Sequence, residues 1–202
     1  MLQETPSQTA GPYVHIGLVP KAAGIPAREN EAWHVVAGPA ARGERIRLEG
    51  LVLDGTGSPV KDAVLELWQA DAAGIYPHPE DPRHGEADPS VRGFGRAACD
   101  FATGLYAFET VKPGRVPGRH GRLMAPHLSL LLFARGINIH LATRVYFADE
   151  AAANAEDPVL RLIEQEARRA TLLARREERA GGIVYRFDIR LQGPEETVFF
   201  DV

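Results

Sequence analysis

The chain has a single cysteine, Cys99, among its 202 residues. One thiol builds neither a disulfide framework nor a thiolate-rich zinc site, and such sparse usage fits a reducing compartment. No stretch approaches the roughly 18 apolar residues of a membrane-spanning helix, and no charged-then-apolar leader is visible, so a cytoplasmic protein is expected. Excess positive charge is missing as well: 23 Lys and Arg face 27 Asp and Glu, a formal net charge of −4. Nucleic acids and anionic membranes demand a basic face, so neither is an expected partner. Arg168, Arg169, Arg175 and Arg176 do cluster, but acids intersperse them and the group reads as a solvated surface.

Self-contained catalytic signatures are absent too. There is no Gly-x-Ser-x-Gly elbow, and the glycines of Gly93-Phe94-Gly95 and Gly55-Thr56-Gly57 lack the spacing of a dinucleotide site. The basic, flexible PGRVPGRHG (113–121) has no Lys-Ser/Thr and no helix after it, so it is not a phosphate loop. The seven histidines, His15, His34, His78, His84, His120, His127 and His140, form no HExxH and no pair at i, i+2 or i, i+4. A metal site would have to be assembled from residues scattered along the chain.

What the sequence does contain is strand pattern. At 45% hydrophobic and 25% charged residues it has the composition of a globular domain, with enough length for a substantial core. Residues 1–40, rich in Pro, Gly, Thr and Ser, read as an extended arm with a short helix near 29–34 and apolar contact points at Tyr13, Val14, Ile16 and Leu18. Residues 41–202 read as a β-sandwich. RIRLEGLVLDG puts Ile46, Leu48 and Val52 on one face before an Asp54-Gly55 turn. AVLELWQA, LYAFETV, HLSLLLFA, TRVYF and VYRFDIRL continue the alternation; in the last, Tyr185, Phe187, Ile189 and Leu191 face inward and Arg186, Asp188 and Arg190 outward. Strands at short intervals without long intervening helices predict a mainly β fold, a sandwich or barrel. Two stretches depart from the pattern. Residues 73–98 form a long excursion, the kind of loop that tends to be functional. Residues 149–178 have helical composition, with Asp157-Pro158 as cap and N1 proline, and a helix is expected over 149–163. Gly181-Gly182 nevertheless looks like a hairpin turn, which demands a partner strand near 171–176.

Within MAPHLSLLLF (124–133), His127 and Ser129 share one face of a strand. Two histidines there would suggest a metal pair; one alone reads as a hydrogen-bonded core histidine.

Six segments, ETPSQTAGPYVHIGL (4–18), RIRLEGLVLDG (45–55), LELWQADAAGIY (65–76), FETVKPG (108–114), APHLSLLLFARGINIHLATRVYFADEAAANA (125–155) and YRFDIRLQGPEETVFFDV (185–202), together resemble the intradiol ring-cleaving dioxygenases. The first and last resemble the non-catalytic alpha chain of a two-chain member. The resemblance implies a β-sandwich of the intradiol type. In the family's catalytic chains Fe(III) is held by two tyrosines and two histidines, the latter from an H-x-H pair matching 127–129. Here the second position is Ser129, one tyrosine position is Val116, and the region of the other offers Arg83 and His84. Serine and valine replace neither an imidazole nor a phenolate as donors to ferric iron. The chain is therefore expected to bind no metal itself, with His127 vestigial and the Fe(III) carried by a homologous catalytic beta chain in a higher alpha-beta oligomer. The implied active site lies at the interface, with Gly11, Pro12 and Tyr13 in the pocket wall and Arg135 facing the substrate. That substrate is a small aromatic diol acid, protocatechuate, cleaved with O2. Blander readings stand beside these: interface packing for Tyr13, a salt bridge at the subunit contact for Arg135, and a binding or scaffold module for the whole chain.

Overall fold

The computed structural model describes residues 8–11, 13–26, 33–118 and 121–201. Eleven strands account for its architecture: β1 (Arg45–Leu53), β2 (Val64–Trp68), β3 (Phe94–Ala98), β4 (Leu105–Val111), β5 (Val116–Pro117), β6 (Leu123–Met124), β7 (His127–Phe133), β8 (Leu141–Phe147), β9 (Leu173–Arg179), β10 (Gly182–Arg186) and β11 (Ile189–Arg190). Nine of them form one mixed sheet in the order β11-β1-β10-β9-β8-β7-β2-β3, with β4 on β1, while β5 and β6 pair separately. The sheet turns back on itself at β9, whose Leu173 and Ala174 run beside β8 and whose Arg175–Arg179 segment pairs with β10. Inward faces of the two halves meet in one core. Ile46, Leu48, Val52, Phe108 and Tyr185 come from one side, and Leu65, Leu67, Leu128, Leu130 and Val145 from the other. The mainly β sandwich expected from the alternation is the fold observed.

The inward parity of VYRFDIRL holds: Tyr185, Phe187 and Ile189 are buried, and Leu191 packs against the core. Between β10 and β11, β1 crosses at Gly50, where a Cβ would stand 1.7 Å from Phe187 O. No other residue allows that approach. The Gly181-Gly182 turn also holds, and the partner strand it requires runs over Leu173–Arg179, overriding the helical propensity of its residues.

Other expectations are corrected. The helix over 149–163 is broken into α2 (Ala151–Glu156) and a 3-10 turn at Leu160–Leu162. Asp157 does cap as expected, accepting Val159 N and Leu160 N at 2.8 and 2.9 Å, but what it starts is one turn only. α3 (Glu166–Ala170) follows. The 73–98 excursion contains β3, hidden in the sequence by its small residues FGRAA. Its remainder is ordered by buried carboxylates of the same domain: Asp71 accepts Ala73 N, Ile75 N and Asp88 N, and Asp88 accepts Arg42 N and Ser90 N. The arm is not extended throughout, since Val14–Leu18 form α1 and Pro20–Ala23 a 3-10 turn. Of the helix expected near 29–34, residues 29–32 lie outside the described residues; Trp33 and His34 form a turn.

Candidate functional site

The sequence singled out two places, and each has a defined geometry. The first is where the arm meets the β7–β8 loop. Gly136 N donates to Thr9 Oγ1 at 2.8 Å, and Ala10 N reaches Ile137 O at 3.4 Å. These bonds bring the backbone leading into Gly11 and Tyr13 alongside the residues that follow Arg135. Tyr13 then precedes α1, 73% exposed, and α1 is seated by His15 edge-on to Phe101 at 4.9 Å and by Arg96 Nη1 donating to Leu18 O. A Cβ on Gly11 would meet nothing within 4 Å, so nothing described in this chain requires glycine there. Pro12 lies outside the described residues.

Arg135 is anchored at one edge only. Its Nε donates to Asp62 Oδ2 at 2.6 Å; Asp62 is buried, whereas the Arg135 side chain is 61% exposed. A guanidinium offers five N–H donors in a planar fork, so the contact with one carboxylate oxygen fixes its direction and leaves donors facing outward. Sequence reasoning missed Asp62. Its only signal was a carboxylate just before a strand, and its pairing with a residue 73 positions away depends on the sheet. The exposed Tyr13, Phe101 and Ile139 add apolar surface on the segments that carry this site.

The second place is the set of positions matching the ferric ligands. His127 is buried at the start of β7, its Nδ1 2.8 Å from Ala125 O and its ring 5.7 Å from that of Tyr146. Burial, helped by the positive charge of Arg144, pushes its pKa down to about 4, so the imidazole is neutral at ordinary pH. Register puts Ser129 between Trp68 of β2 and Arg144 of β8, all three on one face of the sheet. Arg144 Nη1 approaches Met124 Sδ at 3.3 Å and Tyr146 Oη at 3.4 Å. Val116 is buried in β5 opposite Met124. Nearby, a cavity of about 390 Å³ is lined by Trp68, Tyr76, His78, Asp81, Arg83 and Pro117. Trp68 and Tyr76 stack at 5.8 Å. Arg83 is held by Asp81, whose carboxyl is kept at about 2 because the Arg83 and backbone hydrogen bonds outweigh burial. His84 Nδ1 lies 2.9 Å from Asp81 O.

This donor set does not fit ferric iron. At the four matched positions His127 is the one imidazole, Ser129 faces the guanidinium of Arg144, and among the described residues no three His, Cys, Asp or Glu side chains stand together to share a metal. His120 lies outside the described residues. Sequence reasoning missed Arg144, because only the β7–β8 register reveals what faces Ser129.

A family model described as dioxygenase matches residues 22–193. The protocatechuate 3,4-dioxygenase alpha chain of Pseudomonas putida is 56% identical over 201 residues, covering 100% of this chain and 98% of its own length. The protocatechuate 3,4-dioxygenase beta chain of Burkholderia cepacia is 38% identical over 161 residues, 77% of this chain and 67% of its own. Among solved structures, the dioxygenase domain of a dioxygenase carbohydrate-binding protein fusion from Streptomyces sp. SirexAA-E shares the fold with a TM-score of 0.56 at 20% identity, covering 97% of this chain and 100% of that one.

Proposed function

The chain belongs to the intradiol ring-cleaving dioxygenase family, and from that membership we propose that it is the alpha chain of a protocatechuate 3,4-dioxygenase, acting with a homologous beta chain that carries the Fe(III). The pair opens the aromatic ring between its two hydroxyl-bearing carbons, and both atoms of O2 enter the product, 3-carboxy-cis,cis-muconate, on the beta-ketoadipate route of aromatic catabolism. The observation that carries this division of labour is the row Trp68, Ser129, Arg144: where a catalytic chain needs a second imidazole, this one has a hydroxyl facing a guanidinium. The alpha chain works in the cytoplasm, in an oligomer of several alpha-beta pairs; among its described residues no helix is long and apolar enough to cross a membrane. Burial and the Asp62 charge push the lone Cys99 thiol up to about 12, which leaves it unreactive.

The chain's own contribution is recognition. Arg135, oriented by Asp62, presents its free donors to the substrate carboxylate, a pairing that excludes neutral catechols by charge. Gly11, Pro12 and Tyr13 supply a wall, with the Tyr13 ring offering an apolar face and a hydroxyl. Water is excluded once the beta chain covers the exposed Tyr13, Phe101 and Ile139. The decisive experiment expresses the chain alone and with its beta chain, and measures iron per chain and protocatechuate-dependent O2 uptake. A colourless, inactive lone chain and an active, iron-bearing pair are expected; stoichiometric iron in the lone chain overturns the reading. Within the pair, Arg135→Met should raise KM for protocatechuate roughly tenfold or more while assembly persists, as loss of a charge-assisted hydrogen bond requires. An unchanged KM would favour a purely structural scaffold.

A further inference from the structure

A second cavity, of about 640 Å³, lies where β9 and β10 meet the C-terminal segment, and none of its lining residues belongs to either place described above. Its floor includes the apolar side chains of Ala148, Ala170, Leu173 and Pro194, and its walls carry three arginines, Arg175, Arg186 and Arg190, with Asp188 and Glu195 beside them. The register of the hairpin sets Arg186 directly opposite Arg175, and like charges so placed repel. Acids balance only part of this charge. Arg186 Nη2 lies 2.8 Å from Asp188 Oδ1, and Arg190 Nε lies 3.4 Å from Glu195 Oε2. Glu49, 3.9 Å from Arg186, is already engaged by Arg47 and Arg179 at 2.8 Å each. Among the described residues Arg175 has no carboxylate partner and no hydrogen-bond acceptor, which leaves a free guanidinium on the wall of an apolar-floored cavity.

We propose that this cavity binds a small organic carboxylate. The anion lies between Arg175 and Arg186, relieving their repulsion and accepting paired hydrogen bonds from a planar guanidinium. Its apolar body covers Leu173 and Pro194, which is why an organic acid suits the site better than a bare inorganic anion, and the volume is that of ordinary small-molecule pockets. The site does not involve iron and stands whether or not the dioxygenase reading holds.

The test counts benzoate bound per intact alpha-beta pair by isothermal titration calorimetry. Two benzoates are expected, one lost in Arg135→Met and the other weakened at least tenfold in Arg175→Gln, with kcat and KM for protocatechuate unchanged by the latter. Neutral benzamide should not occupy the Arg175 site, and inorganic phosphate should displace benzoate from it only weakly. Without benzoate, Arg175→Gln should melt no lower than the parent, since it removes a repulsion; this separates lost binding from lost folding. A pair that binds no benzoate, a pair whose every bound benzoate survives Arg175→Gln, or displacement by phosphate at equal concentration overturns the proposal. Loss of the Arg135-dependent site alone would count against the dioxygenase reading and leave this one intact.

Discussion

At the scale of single residues, burial and a neighbouring cation keep the His127 imidazole neutral. The imidazole needs one acceptor, Ala125 O, and beside it are Tyr146, the cation of Arg144 and the carboxylate of Asp157, whose upward pull is outweighed by burial and by Arg144. A proton added there meets burial and a like charge, so the folded-state pKa of about 4 lies below the ordinary 6.5. The sign of the pH dependence follows from linkage. Between these values the unfolded chain binds a proton that the folded chain refuses, so this group lowers stability as pH falls from 6.5 toward 4 and adds no slope above 6.5. His127→Gln, whose amide can still donate to Ala125 O, should remove that slope. The parent should lose up to about 3 kcal/mol relative to the variant across the window, read from urea unfolding at pH 4.5, 5.5 and 7. Parallel pH profiles would show that His127 is already protonated or exposed in the folded chain. The identity of His127 was legible in the sequence, and so was its weakness as a lone ligand; Arg144 was not, because Ser129 and Arg144, 15 positions apart in the chain, face each other only once two strands adopt a register.

At the scale of elements, buried carboxylates do what long helices or disulfides do elsewhere. Asp157 is fully buried and accepts from Ala125 N at 2.7 Å, from Val159 N and Leu160 N, and from Tyr146 Oη at 3.2 Å. One side chain thus ties the approach to β7, β8 and the 3-10 turn after α2. Asp157→Ala would leave those donors without partners in an interior site, at about 1–3 kcal/mol for each group. A loss of 4 kcal/mol or more in denaturant unfolding is expected, with Asp157→Asn intermediate because it keeps one acceptor oxygen. A loss under about 1 kcal/mol would mean that water reaches the site freely. The sequence announced Asp157-Pro158 as a cap, but its long-range bonds were invisible, since capping is local and these are not. The same contrast runs through the fold. Strands with clear alternation, such as the RIRLE half of β1 and VYRFD, were readable from parity, whereas β3, with Gly95 and two alanines, has too few large side chains to show a period. β9 was readable only because a Gly-Gly turn forced a partner on it.

At the scale of the whole molecule, the sandwich and its arm are energetically separable. No residue of α1 is buried, and the core clusters begin only at Val36 and Ala37. Among the described residues the arm is held by a short set of contacts: Gly136 N to Thr9 Oγ1, the long Ala10 N to Ile137 O bond, Arg96 to Leu18 O, and His15 against Phe101. Three hydrogen bonds, one of them long, and one exposed aromatic edge contribute about 2–4 kcal/mol in total, small beside a core of this extent. Removing residues 1–18 should therefore leave far-UV circular dichroism and cooperative melting in place, with Tm lower by only a few degrees. The same truncation exposes Phe101, strips Tyr13 from the site and frees the loop after Arg135. If the arm lies at the contact, as the proposed function has it, association with the beta chain should then fail or weaken at least a hundredfold in size-exclusion and pull-down measurements. A truncated chain that melts far lower would place the arm inside the folding unit. One that still assembles and supports full protocatechuate turnover would mean that the arm lies outside the interface and that its exposed aromatic and apolar residues need another explanation.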